Sequence, residues 1–373
     1  MKVALVCDWL TNVGGAEKLL LEIHKMFPEA PIYTSKYSKK GIDWFNDAEV
    51  HTGWLKIFPV CLRRFLSPLR ASYFKHLDLS SYDLVISVTG AEAKGVKVHG
   101  KNHNAVHLCY CHVPTQYYWA MYDDYVKNPG FGILNPVVRV FFKLFVKPLR
   151  KSDYKVSQRP DYFITISDYA KDQIKKYYRR DATVIHPPVE IEDFSCDGKK
   201  KEGIEDAFIT TSRQVNWKRL DLCIESCLKA NKKLIVVGEG PEHKKLVKLA
   251  NNSPLIEFYP LMKREKLASF LRGAKGYIFP SMEPFGIAPV EALAAGCPVI
   301  AFNKGGAKDY IRDGKNGVFF GAQSCDAIIK AIKEFEAMRF SKEQIAKSAE
   351  GFSQKRFVIE LRELITEKTS KKH

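Results

Sequence analysis

Short apolar runs alternate with amphipathic segments along the whole chain. In the first half, apolar runs predict buried strands at Val3–Cys7, 83–87, 105–109 and 162–166, and residues 16–27 predict an amphipathic helix. In the second half, the same criteria predict strands at 208–211, Lys233–Val237, Ile256–Tyr259, Gly276–Phe279 and Val299–Phe302, separated by helices at 221–230, 241–250, 263–272 and 289–295. Strands that alternate with helices of about ten residues are typical of parallel sheets with crossover helices.

The length of the chain predicts two domains. A single hydrophobic core stops growing at roughly 250–300 residues, and this chain has 373. The adjacent prolines Pro187 and Pro188 disfavour regular structure and suit a linker. We therefore predict an α/β protein with two Rossmann-like, doubly wound domains facing each other across a cleft. They comprise residues 1–187 and 188–351, and a final helix at about 352–370 packs back on the first domain.

The chain carries a strong positive charge. Lys and Arg number 59 against 42 Asp and Glu, a formal net charge of +17, which favours a nucleic acid, a phosphate ligand or an anionic lipid as partner. Two windows, residues 54–76 and 131–151, hold five Lys or Arg residues each and no acidic residue. The charge is therefore concentrated in these windows.

The cysteines and acidic pairs do not predict a metal or a disulfide framework. Nine cysteines lie in hydrophobic contexts, which favours reduced, buried thiols. The run from Cys109 to His112 lacks a second ligand cluster for zinc, and Asp123-Asp124 is interpreted as a loop. We expect no metal and no cofactor. The N-terminus predicts a buried strand and not a signal peptide, and no apolar run reaches the ~18–20 residues that span a bilayer.

The segment 281–296 carries the clearest candidate chemistry. It follows the strand Gly276–Phe279 and opens a helix, with Pro289 in the first turn. Glu283 precedes that helix and Glu291 lies within it, so their carboxylates can accept hydrogen bonds from sugar hydroxyls. The free N–H groups of a helix start favour an anion. A helix whose acids are simply biased toward its N-terminus remains an equal alternative on the residues alone.

This segment and several others resemble glycosyltransferase family 4. Two glutamates seven residues apart around Pro284-Phe285-Gly286 are similar to the donor signature of that family. Further resemblances lie at 14–17, 211–221, Gly305-Gly306 and 313–317. The segments 91–95 and 110–114, with Tyr118-Trp119, resemble the branch that contains O-antigen mannosyltransferases. The resemblance implies the GT-B fold, a retaining reaction and a nucleotide-sugar donor.

The resemblance also implies a role for each matching residue. Arg213 and Lys218 are expected to neutralise the diphosphate leaving group, Glu283 to hold the donor hexose and His112 to touch the reacting centre. These four are the predicted catalytic residues. The predicted donor-binding residues, from both domains, are Gly14, Gly15, Arg213, Lys218, Glu283, Phe285, Gly286, Ile287, Ala288 and Glu291.

The two basic windows predict contact with an anionic membrane surface. In residues 135–151 the basic residues recur every three to four positions and leave the rest of the helix to Phe and Val, the composition of a helix lying in a membrane interface. The predicted membrane contacts are Arg63, Arg64, Arg139, Lys143 and Lys147. The alternative is a buried helix whose basic residues fringe the cleft.

Three functions follow. The first is a cytoplasmic glycosyltransferase, peripheral on the inner face of the membrane, that moves mannose from GDP-mannose to a lipid-linked glycan acceptor in polysaccharide or O-antigen-type biosynthesis. The second is a soluble GT-B enzyme that uses another donor, such as a UDP-hexose, and a non-lipid acceptor. The third, a nucleic-acid binder, is disfavoured because the chain shows no recognised binding module. No nucleic-acid partner is expected.

Overall fold

The chain divides into two compact units. The computed structural model describes residues 1–59, 66–100, 104–127, 129 and 132–370. Unit 1 comprises Met1–Pro187 together with the chain from Phe357 onward, and unit 2 comprises Pro188–Arg356. The division falls between the two adjacent prolines, where the chain cannot continue a regular element.

Unit 1 is built on a parallel sheet in the order β3-β2-β1-β4-β5-β6-β7. Its strands are β1 (Val3–Cys7), β2 (Ile32–Thr34), β3 (Val50–His51), β4 (Leu84–Thr89), β5 (Val106–Cys111), β6 (Tyr162–Thr165) and β7 (Ala182–Val184). Its helices are α1 (Gly15–Met26), α2 (Ser67–His76), α3 (Tyr122–Lys127), α4 (Asn135–Val156) and α5 (Asp168–Tyr178), with α13 (Gln354–Ser370) entering it from unit 2. The central strands β4 and β5 are buried along their whole length, as expected for a parallel sheet covered on both faces.

Unit 2 repeats the architecture with a parallel sheet in the order β10-β9-β8-β11-β12-β13. Its strands are β8 (Ala207–Thr211), β9 (Lys233–Val237), β10 (Ile256–Tyr259), β11 (Gly276–Phe279), β12 (Val299–Phe302) and β13 (Gly317–Phe320). Its helices are α6 (Leu220–Lys229), α7 (His243–Ala250), α8 (Arg264–Gly273), α9 (Ile287–Ala294), α10 (Ala307–Tyr310), α11 (Cys325–Glu336) and α12 (Lys342–Ser348). The prediction of two parallel, Rossmann-like α/β domains is confirmed.

Each sheet has one point at which the strand order reverses. In unit 1 this point lies between β1 and β4, and in unit 2 it lies between β8 and β11. The loops that leave neighbouring strands diverge there and open a crevice beyond the carboxyl ends, where ligands bind in doubly wound sheets. In unit 2 the two loops concerned are those that carry Lys218 and Glu283.

Asp123-Asp124 was expected in a loop, and that expectation is wrong. Both aspartates lie in the first turn of α3. Acidic side chains favour this position because the N-terminal end of a helix carries partial positive charge. Separately, none of the helices in the described ranges is both long and apolar enough to span a membrane.

Candidate functional site

The centre of the candidate site in unit 2 is an ion pair between Lys218 and Glu283. The Lys218 ammonium contacts Glu283 Oε1, and the Ser281 hydroxyl donates to the same oxygen at 2.8 Å. The two charged side chains are only 16% and 15% exposed. Lys218 closes a short 3-10 turn after β8, whereas Glu283 follows β11. The ion pair therefore joins the two loops that diverge at the point of strand reversal.

Arg213 lies in the same loop as Lys218 and is exposed. Its guanidinium has neither a hydrogen-bond nor an ion-pair partner among the described residues. The neighbouring Gln214 is fully buried: its amide nitrogen donates to the Gly238 carbonyl at 2.6 Å, and its amide oxygen lies 2.8 Å from Nδ1 of His243. A side chain at Gly240 would collide with the Gln214 carbonyl. The loop is thus fixed at Gln214, and Arg213 projects from that fixed point.

Tyr277 connects the two strands beneath the site. Its buried hydroxyl donates to the Thr211 carbonyl at 2.9 Å and accepts from the Thr211 backbone N–H at 3.2 Å. Burial raises the pKa of the Tyr277 phenol, and the negative charges of Glu283 and Glu291 raise it further. The phenol thus remains protonated and keeps the end of β8 in register with β11. Sequence reasoning missed Tyr277, because nothing in the strand Gly276–Phe279 marks its hydroxyl as a contact between distant residues.

The start of α9 is held from behind by a diglycine. Gly306 N–H donates to the Glu283 carbonyl at 2.8 Å, and the Tyr310 hydroxyl donates to the Phe285 carbonyl at 2.9 Å. Gly305 has φ +76°, and a side chain there would meet the Glu283 carbonyl. Gly286, the residue before α9, has φ +95°. Glycine tolerates both conformations and lets the backbones approach.

The remaining predicted donor residues of unit 2 surround this helix start. Phe285 is buried, whereas four residues are partly exposed: Gly286, Ile287, Ala288 and Glu291. Glu291 lies one turn into α9. The structure therefore brings together Lys218, Glu283 and the N-terminus of α9.

The predicted residues of unit 1 lie at the carboxyl edge of its own sheet. Gly14 and Gly15 follow β1 and begin α1, and the Glu17 carboxylate folds back toward Gly14, so that a side chain at Gly14 would collide with it. His112 follows β5 directly. Its Nε2 atom is buried with no hydrogen-bond partner in the part of the chain that the structure describes. Burial lowers the pKa of the His112 ring to about 4, so the ring is neutral near pH 7.

A buried carboxylate shapes the loop that follows β4. Asp8 accepts hydrogen bonds from the Thr89 hydroxyl and from four successive backbone N–H groups, those of residues 90–93, at 2.8 to 3.1 Å. Within the same loop, the Glu92 carboxylate pairs with the Arg70 guanidinium at 3.0 Å, and both side chains are almost fully buried. Arg70 belongs to the first basic window, 54–76. Arg70 is not among the predicted membrane contacts, and it neutralises Glu92 inside the unit.

The second basic window forms helix α4, and its basic residues divide into two groups. Arg139 donates to the backbone carbonyls of Val126 and Lys127 at 2.9 and 3.0 Å, so it closes the end of α3. Lys143 and Lys147 are exposed. Beside them, five apolar side chains are 44–68% exposed: Val137, Val140, Phe141, Leu144 and Phe145. Arg63 and Arg64 lie outside the described residues.

Within the described ranges, no three His, Cys, Asp or Glu side chains are grouped as a metal ion would require. The cysteines of those ranges are free thiols.

Part of the second half of the chain matches a known protein family. Residues 197–352 match the family described as Glycosyl transferases group 1. The matched segment makes up most of unit 2. The matched segment includes Arg213, Lys218, Glu283 and Glu291, and it begins nine residues after Pro188.

Curated relatives match over part of their length. An uncharacterized glycosyltransferase of Methanocaldococcus jannaschii is 27% identical over 198 residues, which is 52% of this chain and 55% of the relative. An alpha-1,3/1,6-mannosyltransferase of Neurospora crassa is 30% identical over 149 residues, 35% of this chain and 32% of the relative. The chain spans about half, or less, of the curated relatives that it matches.

Solved structures match the whole chain in fold. Sucrose-phosphate synthase from Thermosynechococcus elongatus superposes with a TM-score of 0.69 at 15% identity, covering 98% of this chain and 99% of that one. The Anabaena HepE protein in complex with UDP-glucose gives 0.65 at 16% identity, covering 98% and 100%. These likenesses confirm the GT-B fold.

Proposed function

We propose that the chain is a glycosyltransferase that transfers a hexose from a nucleotide-sugar donor. The Lys218–Glu283 ion pair beside the N-terminus of α9 carries this proposal. Lys218 supplies a cation for a phosphate, and Glu283 supplies a carboxylate for a sugar hydroxyl. The N-terminus of α9 beside them favours negative charge. The match of residues 197–352 to the group 1 family supports the same activity.

Departure of the nucleoside diphosphate is the step that the cations assist. Negative charge builds on the β-phosphate as the glycosidic bond breaks, and preorganised cations stabilise that charge without reorganising. Arg213 offers a planar fork and Lys218 a point charge. Glu283 orients the hexose, and Glu291 accepts hydrogen bonds from the ribose hydroxyls.

His112 acts as a neutral hydrogen-bonding group in this proposal. Its pKa of about 4 keeps the ring uncharged near neutral pH, and its buried Nε2 has capacity for one hydrogen bond. A donor hydroxyl at the reacting centre would fill that capacity. The anomeric configuration is retained, with departure of the diphosphate stabilised by Arg213 and Lys218 and without a bound metal.

GDP-mannose is the proposed donor. The likeness of residues 110–114 and Tyr118-Trp119 to O-antigen mannosyltransferases supports mannose, as does the similarity to a fungal mannosyltransferase. The fold of the Anabaena protein that was solved with UDP-glucose supports a second candidate, a UDP-hexose.

A hydrolysis screen across GDP- and UDP-sugars separates these candidates. Release of GDP from GDP-mannose alone would support the first, whereas release of UDP would replace it with the second. The screen is run with and without EDTA, and activity should persist in EDTA. Complete loss that manganese or magnesium restores would contradict the metal-independent mechanism, and inactivity with every sugar nucleotide would overturn the proposed function.

The proposed acceptor is a lipid-linked glycan, reached from the cytoplasmic face of an anionic membrane. Five exposed apolar side chains of α4 lie beside Lys143 and Lys147. Apolar burial into a bilayer and attraction of lysines to anionic headgroups act together at such a surface. We assign this surface of α4 to lipid because the positive charges of its flanking lysines complement the negative charges of the lipid headgroups. A role in polysaccharide biosynthesis follows from such an acceptor.

A further inference from the structure

One buried carboxylate on α4 contacts four side chains that belong to three separate segments of unit 1. Asp153 is 5% exposed. The Lys94 ammonium lies 2.7 Å from it, the Trp119 indole N–H donates at 2.7 Å, the Tyr178 hydroxyl donates at 2.8 Å, and the Thr115 hydroxyl lies within 3.0 Å. A charged acceptor with several donors is among the stronger polar contacts that a protein makes.

Two of these donors belong to the loop that begins directly after His112. Thr115 and Trp119 lie between the end of β5 and the start of α3. The Thr115 backbone N–H also donates to the Tyr178 hydroxyl at 3.1 Å, so the same cluster holds both the backbone and the side chain of the loop. The loop 113–119 is therefore fixed to α4 within eight residues of His112.

The C-terminal half of α4 makes a second contact with this loop. The Arg150 guanidinium donates to the Tyr118 carbonyl at 2.5 Å and lies over the Trp119 ring at 5.3 Å. Pro148, which lacks a backbone N–H, precedes this half of the helix. The apolar side chains proposed to meet the membrane all precede Pro148. The first half of α4 therefore carries the exposed apolar side chains, and the second half binds the loop beside His112.

Stability alone does not favour a charged cluster at this place. Replacing a buried ion pair with apolar side chains of similar volume is often neutral or stabilising. The advantage of the charged cluster over apolar packing is that it fixes orientation, because each donor must point at the Asp153 carboxylate. On the basis of the proposed function, we propose that Asp153 is a positioning residue that couples the membrane-contacting half of α4 to the 113–119 loop and thereby to His112.

The first test uses variants that leave the Lys94–Asp153 pair intact. Trp119→Phe removes the indole N–H and keeps an aromatic ring. Thr115→Val replaces the hydroxyl, which also accepts from the Lys94 ammonium at 3.0 Å, with a methyl group of similar size. Each should lower kcat for hydrolysis of the sugar nucleotide by about tenfold, the loss expected for a hydrogen bond to a charged group. KM should stay unchanged, because the donor phosphates bind in unit 2. Asp153→Asn should show the same split if it folds.

Ser87→Ala is the matched control for lost stability. The Ser87 hydroxyl lies 2.8 Å from His107 Nε2, and both side chains are fully buried. The variant therefore also removes a buried hydrogen bond of the same unit, but it breaks no contact with the loop. It should keep its kcat. Equal losses of kcat in Ser87→Ala and the two loop variants would overturn the proposal.

The second test observes Trp119 directly. In protein labelled with 5-fluorotryptophan, the Trp119 fluorine resonance is assigned as the one that Trp119→Phe lacks. Vesicles of phosphatidylglycerol and phosphatidylcholine should shift this resonance in the wild type and in Ser87→Ala. They should shift it less in Asp153→Asn, which should still float with the vesicles. An unmoved resonance in vesicle-bound wild type would overturn the coupling, as would a failure of the wild type to bind the vesicles.

The two tests separate this inference from the proposed function. If the wild type hydrolyses none of the sugar nucleotides, the proposed function fails. The fluorine measurement still decides whether Trp119 and Asp153 respond to the membrane.

Discussion

At the scale of single residues, the candidate site is defined by charges that are already partly balanced. Lys218 pairs with Glu283, whereas the guanidinium of Arg213 is exposed. The pair orients Lys218, and in the proposed function the donor phosphate is a second negative partner for it. We therefore expect Arg213 and Lys218 to contribute separately to stabilising the leaving group.

Removing either cation should reduce turnover strongly while leaving the fold intact. Arg213→Ala and Lys218→Ala should each lower kcat/KM by about 100-fold or more, the usual loss for a transition-state charge contact. Lys218→Arg should recover only part of the activity, because a planar fork cannot reproduce the geometry of a point charge. The exposed Lys248→Ala on α7 is the control. Near-normal turnover in both alanine variants would contradict the assignment.

His112 gives a prediction for stability as a function of pH. Burial lowers its pKa from 6.5 to about 4 in the folded protein. Below about pH 6.5 the unfolded chain takes up a proton at this ring and the folded chain does not. The contribution of His112 to the unfolding free energy is thus fully present above pH 6.5 and falls toward pH 4, by up to about 1.4 kcal/mol per pH unit.

The variant His112→Gln should remove this part of the pH dependence. Urea unfolding between pH 4.5 and 7 should therefore show a shallower loss of stability in the variant than in the wild type. The difference between the two proteins isolates His112 from His107, whose pKa burial also lowers, to about 3. Parallel curves for the two proteins would show that the His112 ring is not held neutral by the fold.

Sequence patterns predict the charged residues that are proposed to contact a ligand, but they do not predict the residues that hold neighbouring loops and strands in position. Lys218, Glu283 and Glu291 stand in recognisable local motifs. Tyr277 and Asp153 are also polar, but the partner of Tyr277 is 66 residues away and the partners of Asp153 are 25 or more residues away. No local pattern encodes such partners, because only the folded sheet brings them together.

At the scale of elements, the long strands were predictable and the short ones were not. The run Lys233–Val237 has enough apolar residues to predict a buried strand, and the structure shows it with the same bounds. Val50–His51 and Ile32–Thr34 have two and three residues, too few to show a period. They are strands only because β1 and its neighbours offer them hydrogen bonds.

The α4 helix shows a different limit of pattern reasoning. Its spacing of basic residues predicted one uniform stripe. In the structure, Arg139 binds carbonyl groups at the end of α3 while Lys143 and Lys147 are exposed. Periodicity predicts which residues share a helix face, but it does not predict what lies against that face.

Gly305, which packs against the Glu283 backbone, allows a direct test of whether the position of the Glu283 loop matters for activity. Gly305→Ala forces a left-handed backbone on alanine and places a methyl group against the Glu283 carbonyl. The loop must shift, so we expect a large loss of kcat/KM for the donor and a loss of about 1–3 kcal/mol in unfolding free energy.

Gly314→Ala is the matched control for this variant. Gly314 has φ +73°, close to the +76° of Gly305, but a methyl group there meets no atom within 4 Å. It should therefore lose stability through backbone strain and keep its activity. If both variants retain normal kinetics, the position of the Glu283 loop does not determine turnover.

At the scale of the whole molecule, the functions are divided between the two units. The proposed diphosphate contacts Arg213 and Lys218 lie in unit 2, whereas α4 and the loop beside His112 lie in unit 1. Because α13 begins in unit 2 and continues into unit 1, the chain crosses between the units twice. Both parts of the chain carry a positive excess: residues 1–187 hold 27 basic and 17 acidic side chains, and the remainder holds 32 and 25.

This division predicts that membrane attachment and donor chemistry can be separated by substitution. Lys143→Glu combined with Lys147→Glu reverses the charge beside the apolar face of α4, where each lysine contributes about 1 kcal/mol to binding an anionic surface. Flotation with phosphatidylglycerol vesicles should be lost. Hydrolysis of the soluble donor should persist, since its contacts lie in unit 2, and transfer to an acceptor embedded in vesicles should fall.

The design of this variant and of its control follows from the structure. Arg139 is left unchanged, because replacing it would also remove its hydrogen bonds to the end of α3. Lys330→Glu combined with Lys333→Glu makes the same change in net charge at two exposed positions of α11 in unit 2, and this variant should still float.

High salt should weaken wild-type binding by screening the lysines, but the exposed Phe141 and Phe145 should keep part of the protein bound until detergent is added. If the α4 variant floats as well as the wild type, or if the α11 variant detaches equally, α4 is not the surface that meets the membrane, and the acceptor need not be a lipid.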